Sequence, residues 1–331
     1  MSTLSRAAVV GCGDVSVVHL AAIAEASDIE LVAVCDTDPT TAATAAGHLG
    51  VPAYGDHRQL LAAVAPDVVH VCTPHHQHVP VVLDCLAAGV DVITEKPLAA
   101  TMAEAEKIIA AAAAHPNTKI GVCFQNRYNT TSEAMRALLD SGELGAVQGA
   151  AATVLWHRTA AYYQAKPWRG RIAESGGGVL INQAVHTLDL LQWLLGEVTD
   201  VAGRAGTYGL GNVIEVEDTA QLVLTHHTGV RSVCFATLLH ATDAPVTLEI
   251  VTEHATLRLA GDLRITWSDG RTETVAEPVA TGGGRSYWGA SHTRLITDFY
   301  RRRSDPEPFW LGPHEAVKSL RILTDLYALG R

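Results

Sequence analysis

Basic residues are scarce in this chain of 331 residues. Lysine and arginine number 24 against 35 aspartate and glutamate residues, which gives a net charge of −11 at pH 7. A surface with this charge repels nucleic-acid phosphates and anionic lipid headgroups. We therefore expect neither nucleic acid nor a membrane among the partners of the protein.

Long apolar runs are also lacking, since no stretch reaches the roughly 18 to 20 residues that a membrane helix requires. The first six residues lead directly into an apolar strand, so we expect no signal peptide. The six cysteines form no C-x-x-C pair, and four of them end short valine-containing runs that are typical of buried strands. Reduced core thiols are typical of the cytoplasm, which is where we expect the protein.

Charged residues make up only 18% of the chain and hydrophobic residues 48%, which excludes intrinsic disorder. The first 123 residues alternate short β-branched runs with alanine-rich stretches, a pattern typical of a parallel sheet with helices on both faces. A helix is predicted at residues 98–114, where Thr101 can cap its start. Six strands are predicted, at residues 7–11, 29–36, 68–72, 91–95 and 119–123, with a shorter one near Ala53.

Longer alternating runs follow and predict a second, mostly antiparallel sheet. Its strands are expected at residues 147–156, 218–224, 230–239, 246–251 and 263–267, and helices at 179–195, 291–303 and 314–329. The fold class is therefore α/β, with a doubly wound parallel-sheet domain expected at 1–123 and a second α/β domain with a mostly antiparallel sheet expected at 124–331. The last helix can pack back on the first domain.

A glycine-rich turn follows the first strand and opens a helix, as in pyrophosphate-binding loops. Two glycines alone often make only a turn, but the second strand ends in Asp36, 23 residues after Gly13. A carboxylate at this spacing binds ribose hydroxyls and repels a 2′-phosphate, so we expect NAD and, less readily, NADP. The cofactor residues predicted here are Gly11, Gly13, Asp14, Val15, Ser16 and Asp36.

Three further motifs give the chain a family resemblance. Thr73-Pro74-x-x-x-His78 and Glu95-Lys96-Pro97 follow the predicted strands, and Gly176-Gly177-Gly178 precedes Asn182 and His186. In this order the motifs resemble those of the Gfo/Idh/MocA oxidoreductases. The resemblance implies a Rossmann domain joined to an open-faced α/β domain, a nicotinamide cofactor, and homodimers or homotetramers formed through the exposed sheet.

The resemblance also implies catalytic roles. Lys96 matches the family's catalytic lysine, which stabilises charge on the reacting oxygen, and His186 matches the general acid and base. Asn182 stands where many relatives have aspartate, and an amide cannot stabilise an imidazolium by charge. Either His186 carries the proton with Lys96 alone, or Asn182 contacts a sugar hydroxyl; an Asn182→Asp variant with no gain in rate would favour the second.

Other residues are assigned to the cofactor or substrate by the same resemblance. The further cofactor residues are Thr73, Pro74, His78, Glu95, Lys96, Gln125, Trp168 and Arg169, and the substrate residues are Lys96, Arg127, Arg158, Tyr163, Asn182 and His186. The aromatic segment at 156–169 can instead be a packed loop. Tyr287, Trp288 and His292 either close the pocket or pack. His75, His76 and His78 suggest zinc, but no cysteine or carboxylate has convincing ligand spacing, so we expect no metal.

Three functions remain open at this stage. The first is an NAD-dependent dehydrogenase acting on a secondary hydroxyl of a sugar, sugar acid, nucleotide sugar or cyclitol, or catalysing the reverse reduction. The second is an enzyme that keeps NAD bound and recycles it in one turnover, for elimination, hydrolysis or transfer. The third is an NAD(P)-sensing regulator without catalysis, which the presence of Lys96 and His186 disfavours.

Overall fold

The computed structural model describes residues 4–278 and 291–330. The described chain forms two compact units, one of residues 4–125 and 291–317, the other of residues 126–278 and 318–330. The sequence predicts that all residues after 123 belong to the second domain. The structure differs because residues 291–317 return to the first unit, where the amide of Val122 donates to the carbonyl of Leu311.

The first unit contains a six-stranded parallel sheet, as the sequence predicted. Its strand order is β3-β2-β1-β4-β5-β6. The strands are β1 (Ser5–Val10), β2 (Ile29–Cys35), β3 (Ala53–Tyr54), β4 (Val68–Val71), β5 (Asp91–Thr94) and β6 (Ile120–Val122). Every residue of β4, β5 and β6 is buried, which explains why these strands read as continuous apolar runs.

Three of the five helices between these strands begin at a residue whose side chain caps the helix. The five helices are α1 (Ser16–Glu25), α2 (Pro39–Leu49), α3 (His57–Val64), α4 (His75–Ala87) and α5 (Met102–Ala114). Asp38 caps α2 by accepting the amides of Thr40 and Thr41. Thr101 caps α5, so that helix begins four residues later than the predicted start at 98.

The second unit contains an eight-stranded sheet in the order β14-β13-β12-β11-β7-β10-β9-β8. Its strands are β7 (Val147–Leu155), β8 (Val198–Gly206), β9 (Thr219–His226), β10 (Arg231–Thr237), β11 (Thr247–Thr252), β12 (Ala255–Ala260), β13 (Asp262–Trp267) and β14 (Thr272–Val275). All pairs are antiparallel except β7 with β10. The α/β fold class is confirmed, although β8, β12 and β14 were not predicted.

One face of this sheet carries exposed apolar side chains. Val223 on β9 lies opposite Val233 on β10, and Val233 lies beside Ala151 on β7. Phe235, two residues after Val233, points to the same face. Val223, Val233 and Phe235 are 41%, 47% and 41% exposed, whereas the alternate residues of β9 and β10 are buried. The sheet therefore has an open apolar face, as predicted.

The remaining helices are α6 (Thr130–Ser141), α7 (Ala160–Ala165), α8 (Ile172–Ser175), α9 (Val185–Leu195), α10 (Ser291–Arg301) and α11 (Pro313–Ala328). The helix predicted at 179–195 is present, and its first part, Leu180–Ala184, is a π-helical turn that leads directly into α9. Such turns are rare and often mark functional sites. In the described part of the chain, no helix has both the length and the hydropathy needed to cross a membrane.

Candidate active site

The glycine turn between β1 and α1 is shaped by close backbone contact. Gly11 has a φ of +91°, and a Cβ atom there would lie 2.6 Å from the carbonyl carbon and oxygen of Cys72. A side chain is therefore excluded at Gly11 by the end of β4. A Cβ atom on Gly13 would meet nothing within 4 Å, so the space beside this residue is open to a ligand.

The other residues of the turn serve its structure. Ser16 is buried and its hydroxyl donates to the carbonyl of Gly13 at 2.7 Å. Asp14 is exposed and Val15 is half-buried. The helix α1 starts without a side-chain cap, which leaves amides at its N-terminus available for an anion.

Asp36 lies just after β2 with its carboxylate oriented by two amides. Oδ2 accepts the amide of Cys12 at 2.8 Å, and Oδ1 accepts the amide of Asp38 at 2.9 Å. Because Cys12 belongs to the glycine turn, this contact holds the carboxylate beside that turn. Each carboxylate oxygen keeps further acceptor capacity, so Asp36 can also bind ribose hydroxyls.

Two buried polar atoms at the sheet edge have no hydrogen-bond partner among the described residues. Thr73, after β4, has a buried Oγ1 without a hydrogen bond, and so does Oε1 of Gln125, which follows β6. Buried polar atoms are normally satisfied, so these two positions point to a bound group. The open space at Gly13, the carboxylate of Asp36 and these two atoms fit a dinucleotide at the carboxyl edge of the sheet.

His78 connects the two motif-bearing loops. It is fully buried, with Nδ1 2.7 Å from the carbonyl oxygen of Pro97 and Nε2 2.9 Å from that of Thr73. Burial lowers the pKa of His78, and these two carbonyls oppose that effect. The imidazole thus fixes the Thr73-Pro74 turn against the loop after β5, while its contact with cofactor stays a prediction.

Lys96 follows β5, is half-buried, and is joined to Pro97 by a cis peptide bond. Its amide donates to Oε2 of Glu95 at 3.3 Å. Oε1 of Glu95 lies 3.1 Å from Nε2 of His19 and 3.2 Å from Nε2 of His292. The sequence predictions missed His19 and also His70, which lies within the buried strand β4; a histidine inside a fully apolar run was the available signal.

The glycine run before α9 is also required by close contacts. A Cβ atom on Gly178 would lie 1.8 Å from the carbonyl oxygen of Glu217, and one on Gly177 would lie 2.3 Å from the hydroxyl of Tyr327. Oε1 of Glu217 accepts the amides of Gly178 and Leu180 and the hydroxyl of Tyr327. Glu217, which sequence reasoning missed, therefore anchors the start of the π-helical turn.

This anchored segment carries the two predicted catalytic residues of the second unit. Asn182 lies within the π-helical turn, and its backbone N–H donates to the backbone carbonyl of Gly178 at 3.0 Å. His186 is the second residue of α9, and both side chains are half-buried. Lys96 belongs to the first unit, so each unit contributes part of the predicted catalytic set.

Arg127, predicted to bind substrate, forms a buried ion pair. Its guanidinium donates to both carboxylate oxygens of Asp189 on α9, at 2.8 and 2.7 Å, and both side chains are 1% exposed. The guanidinium also lies 5.5 Å from the ring centre of Trp193. These contacts fix α9 from inside the second unit; the role in substrate binding stays a prediction.

The aromatic segment forms a stack of rings and guanidinium groups. Arg158 lies 5.0 Å from the Trp156 ring and 5.2 Å from the Tyr162 ring, and it pairs with Asp243 at 2.8 Å. Arg169 lies 4.4 Å from Tyr162. These distances are within the range of cation–π contacts. Tyr163 is buried, Arg169 also approaches the ring of Trp168 at 5.7 Å, and the ligand roles of these residues stay predictions.

Two further interpretations of the sequence concern the residues predicted near the pocket at 287–292 and a metal site made of histidines. Tyr287 and Trp288 lie outside the described residues, while His292 is buried in the first unit against Glu95. Of the histidine, cysteine and acidic residues in the described ranges, the one group close enough to hold a metal ion is His19, Glu95 and Cys123. His75, His76 and His78 are not part of it.

Family models match most of the chain. Residues 5–124 match that of an oxidoreductase family with an NAD-binding Rossmann fold, named GFO_IDH_MocA, and residues 132–258 match the C-terminal domain of the same proteins. The predicted family resemblance is therefore confirmed.

Curated relatives and solved structures agree with these matches. D-apiose dehydrogenase of Paraburkholderia graminis is 32% identical over 82% of this chain and 73% of its own length. Inositol 2-dehydrogenase of Burkholderia lata is 32% identical over 57% of this chain and 54% of its own length. The WlbA dehydrogenase of Bordetella pertussis, crystallised with NADH and UDP-GlcNAcA, is 28% identical with a TM-score of 0.83, covering 98% of this chain and 96% of that one.

Proposed function

Because the chain belongs to the Gfo/Idh/MocA family of NAD-binding oxidoreductases, we propose that it is a dehydrogenase of a sugar-like substrate, oxidising a secondary hydroxyl or reducing the matching ketone. The observation that carries the proposal is the position of Lys96 at the carboxyl end of β5, in the same unit as the glycine turn and Asp36. A sugar, sugar acid, nucleotide sugar or cyclitol fits the relatives named above.

NAD is the cofactor that these residues fit. The glycine turn would hold the pyrophosphate and Asp36 the adenosine ribose, while Thr73 and Gln125 have buried polar atoms without a hydrogen-bond partner in the described part of the chain. When bound, NAD supplies a nicotinamide ring that accepts or returns a hydride. The 2′-phosphate of NADP would face the carboxylate of Asp36, which disfavours it.

Lys96 and His186 carry the polar part of the proposed reaction. The ammonium of Lys96 donates a hydrogen bond to the carbinol oxygen and stabilises negative charge there. His186 accepts the hydroxyl proton, for which an imidazole is suited near neutral pH. Asn182 then orients His186 or binds a second hydroxyl of the sugar.

The direct test is reduced-nicotinamide absorbance of the purified full chain with NAD or NADP and a panel of D-apiose, myo-inositol, aldoses, uronates and UDP-GlcNAcA. Substrate-dependent reduction of NAD is the expected result. Absence of turnover with NAD released on denaturation would replace the proposal with internal recycling of the cofactor. Absence of turnover in a protein that binds added NAD would replace it with a sensor.

Replacement of Asp36 by alanine is expected to weaken discrimination against NADP. The change removes hydrogen bonds to the ribose and the charge that repels the 2′-phosphate, so the ratio of kcat/KM for NAD to that for NADP should fall about 10- to 100-fold. The matched control is Asp38→Ala, which removes the cap of α2. That control should lower stability without changing the cofactor ratio; an unchanged ratio in Asp36→Ala would contradict the assignment.

The open face of the second sheet supports a homo-oligomer. The exposed side chains of Val223, Val233 and Phe235 form neighbouring rows on adjacent strands. Exposed apolar patches of this kind are typical of protein interfaces. We propose that a second copy of the chain covers this face in a homodimer or homotetramer.

All six cysteines are free thiols. Free thiols are typical of proteins in the reducing cytoplasm, which is the location that we propose.

Phe235→Lys is expected to dissociate the oligomer to monomers, because it places a charge in the centre of the apolar face. Light scattering coupled to gel filtration would measure the change as a fall to the 35.1 kDa mass of one chain. The control is Leu49→Lys, at an exposed leucine of α2 in the first unit, which should leave the mass unchanged. A monomeric unsubstituted protein would refute the proposed assembly.

A further inference from the structure

A chain of buried polar side chains runs through the first unit to Glu95. The hydroxyl of Tyr300 lies 2.9 Å from Nε2 of His70, and Nδ1 of His70 lies 2.9 Å from Nδ1 of His19. Nε2 of His19 and Nε2 of His292 both reach Oε1 of Glu95, at 3.1 and 3.2 Å. We call these five residues the Glu95 network; each is at most 9% exposed.

Glu95 sets the direction of every hydrogen bond in this network. An ionised carboxylate only accepts, so Nε2 of His19 must carry a proton and its Nδ1 must accept. Nδ1 of His70 then donates to His19, and Nε2 of His70 accepts the hydroxyl proton of Tyr300. All the donations therefore run toward Glu95, and one proton on each of His19 and His70 satisfies the contacts of these two imidazoles.

The proton affinities agree with this assignment. Burial raises the pKa of Glu95, but the hydrogen bonds from His19 and His292, together with the electrostatic interactions of the carboxylate with these two residues, hold the pKa well below its ordinary value. Burial lowers the pKa of His19 and, further, that of His70. The carboxylate of Glu95 is therefore charged, and the lowered pKa values of His19 and His70 favour their neutral forms.

A metal ion is the other occupant to consider, because Cys123 lies beside His19, with 4.0 Å between Sγ and Nε2. A metal would need a thiolate at Cys123 and the Nε2 lone pair of His19. Burial and then the charge of Glu95 raise the pKa of the Cys123 thiol well above its ordinary value. The separations of 3.1 and 3.2 Å to Glu95 are already those of hydrogen bonds, so the network is complete without an ion.

The remaining carboxylate oxygen of Glu95 reaches the predicted catalytic lysine. Oε2 accepts the amide of Lys96 at 3.3 Å, while Oε1 is held by the two histidines. We propose that Glu95 is a positioning residue, kept charged and fixed by the Glu95 network so that it holds the backbone from which Lys96 extends. This inference rests on the proposed function only in assigning catalysis to Lys96.

The first test follows the backbone amide of Lys96 directly. The chain has five lysines, so ¹⁵N-lysine labelling gives five backbone amide signals that single Lys→Arg variants can assign. Glu95→Gln should shift the Lys96 signal and raise its hydrogen-exchange rate about tenfold or more, because a hydrogen bond to a charged acceptor is lost. The signal of Lys119 should stay in place.

The matched control is Asp91→Asn, at the opposite end of β5. Oδ1 of Asp91 accepts the amide of Lys119 at 2.7 Å, so this variant should move the Lys119 signal and leave that of Lys96 unchanged. A general loss of structure would instead move both signals in both variants. An unmoved Lys96 signal in Glu95→Gln would overturn the proposal.

Kinetics separate this proposal from the proposed function. With a substrate from the panel, Glu95→Gln should lower kcat about 10- to 100-fold, as expected for a misplaced catalytic group. Asp91→Asn should retain kcat. If the Lys96 signal moves and no panel compound is turned over, the positioning contact stands and the dehydrogenase assignment fails.

Two further measurements test the proposal independently of Glu95→Gln. If Glu95→Gln does not fold, His292→Gln and His292→Leu replace it, since glutamine keeps an N–H donor for Glu95 and leucine does not; only His292→Leu should shift the Lys96 signal. Elemental analysis of the purified protein should find no stoichiometric transition metal. A bound metal that is lost in Cys123→Ser would overturn the proposal in favour of a metal site.

Discussion

Lys96→Ala is expected to lower kcat about 10²- to 10⁴-fold with the substrate identified from the panel. The variant removes the ammonium that stabilises charge on the carbinol oxygen, and the loss of one such group typically has an effect of this size. The Kd for NAD tests the second role that the sequence predicts for Lys96, contact with the cofactor, because the glycine turn and Asp36 are untouched in this variant. Steady-state kinetics with fluorescence titration of NAD would measure both quantities.

Lys107→Ala is the matched control for this substitution. Lys107 is exposed on α5 in the same unit and has no place in the proposed reaction. Its replacement should leave kcat and the Kd for NAD within a factor of about two, since exposed substitutions rarely change stability by more than about 0.5 kcal/mol. If Lys96→Ala retained full activity, Lys96 would have no catalytic role, whatever the family resemblance implies.

Sequence predicts best those elements whose residues share one environment. The buried strands β4, β5 and β6 read as continuous apolar runs because helices cover both faces of their sheet. β8 was missed because it contains two glycines and an aspartate, and β14 because three of its four residues are polar and exposed. Local composition therefore does not predict these two strands, which lie at the edges of the sheet and form by pairing with a neighbouring strand.

The candidate site shows the same division between local and distant signals. Gly11 and Asp36 were assigned from their spacing after strand ends, which the Rossmann pattern fixes, and Lys96 from the family resemblance; their roles stay predictions. His19 and Glu217 could not be assigned, since their roles depend on partners far along the chain: His19 meets Glu95, and Glu217 meets the amides of Gly178 and Leu180. The return of residues 291–317 to the first unit is likewise decided by tertiary contacts.

Breaking the buried pair of Arg127 and Asp189 is expected to lower the free energy of unfolding by about 3–5 kcal/mol, because either single substitution removes the bidentate partner of a buried charge. The variants are Arg127→Met and Asp189→Leu, followed by the double variant, whose loss should be well below the sum of the single losses. Urea unfolding followed by tryptophan fluorescence would measure all three, with Trp193 beside the pair as a reporter.

An ion pair on the surface provides the control for these measurements of stability. The charged groups of Arg171 and Glu174 are 3.0 Å apart, and these side chains are 58% and 29% exposed, so Arg171→Met should lower the free energy of unfolding by less than about 1 kcal/mol.

Kinetic measurements decide the role of Arg127. If Arg127 binds substrate, as the sequence predicted, Arg127→Met would raise KM under conditions where the variant is folded. The bidentate contact with Asp189 on α9 favours the other result, in which stability falls, KM stays unchanged, and the helix that carries His186 depends on the pair.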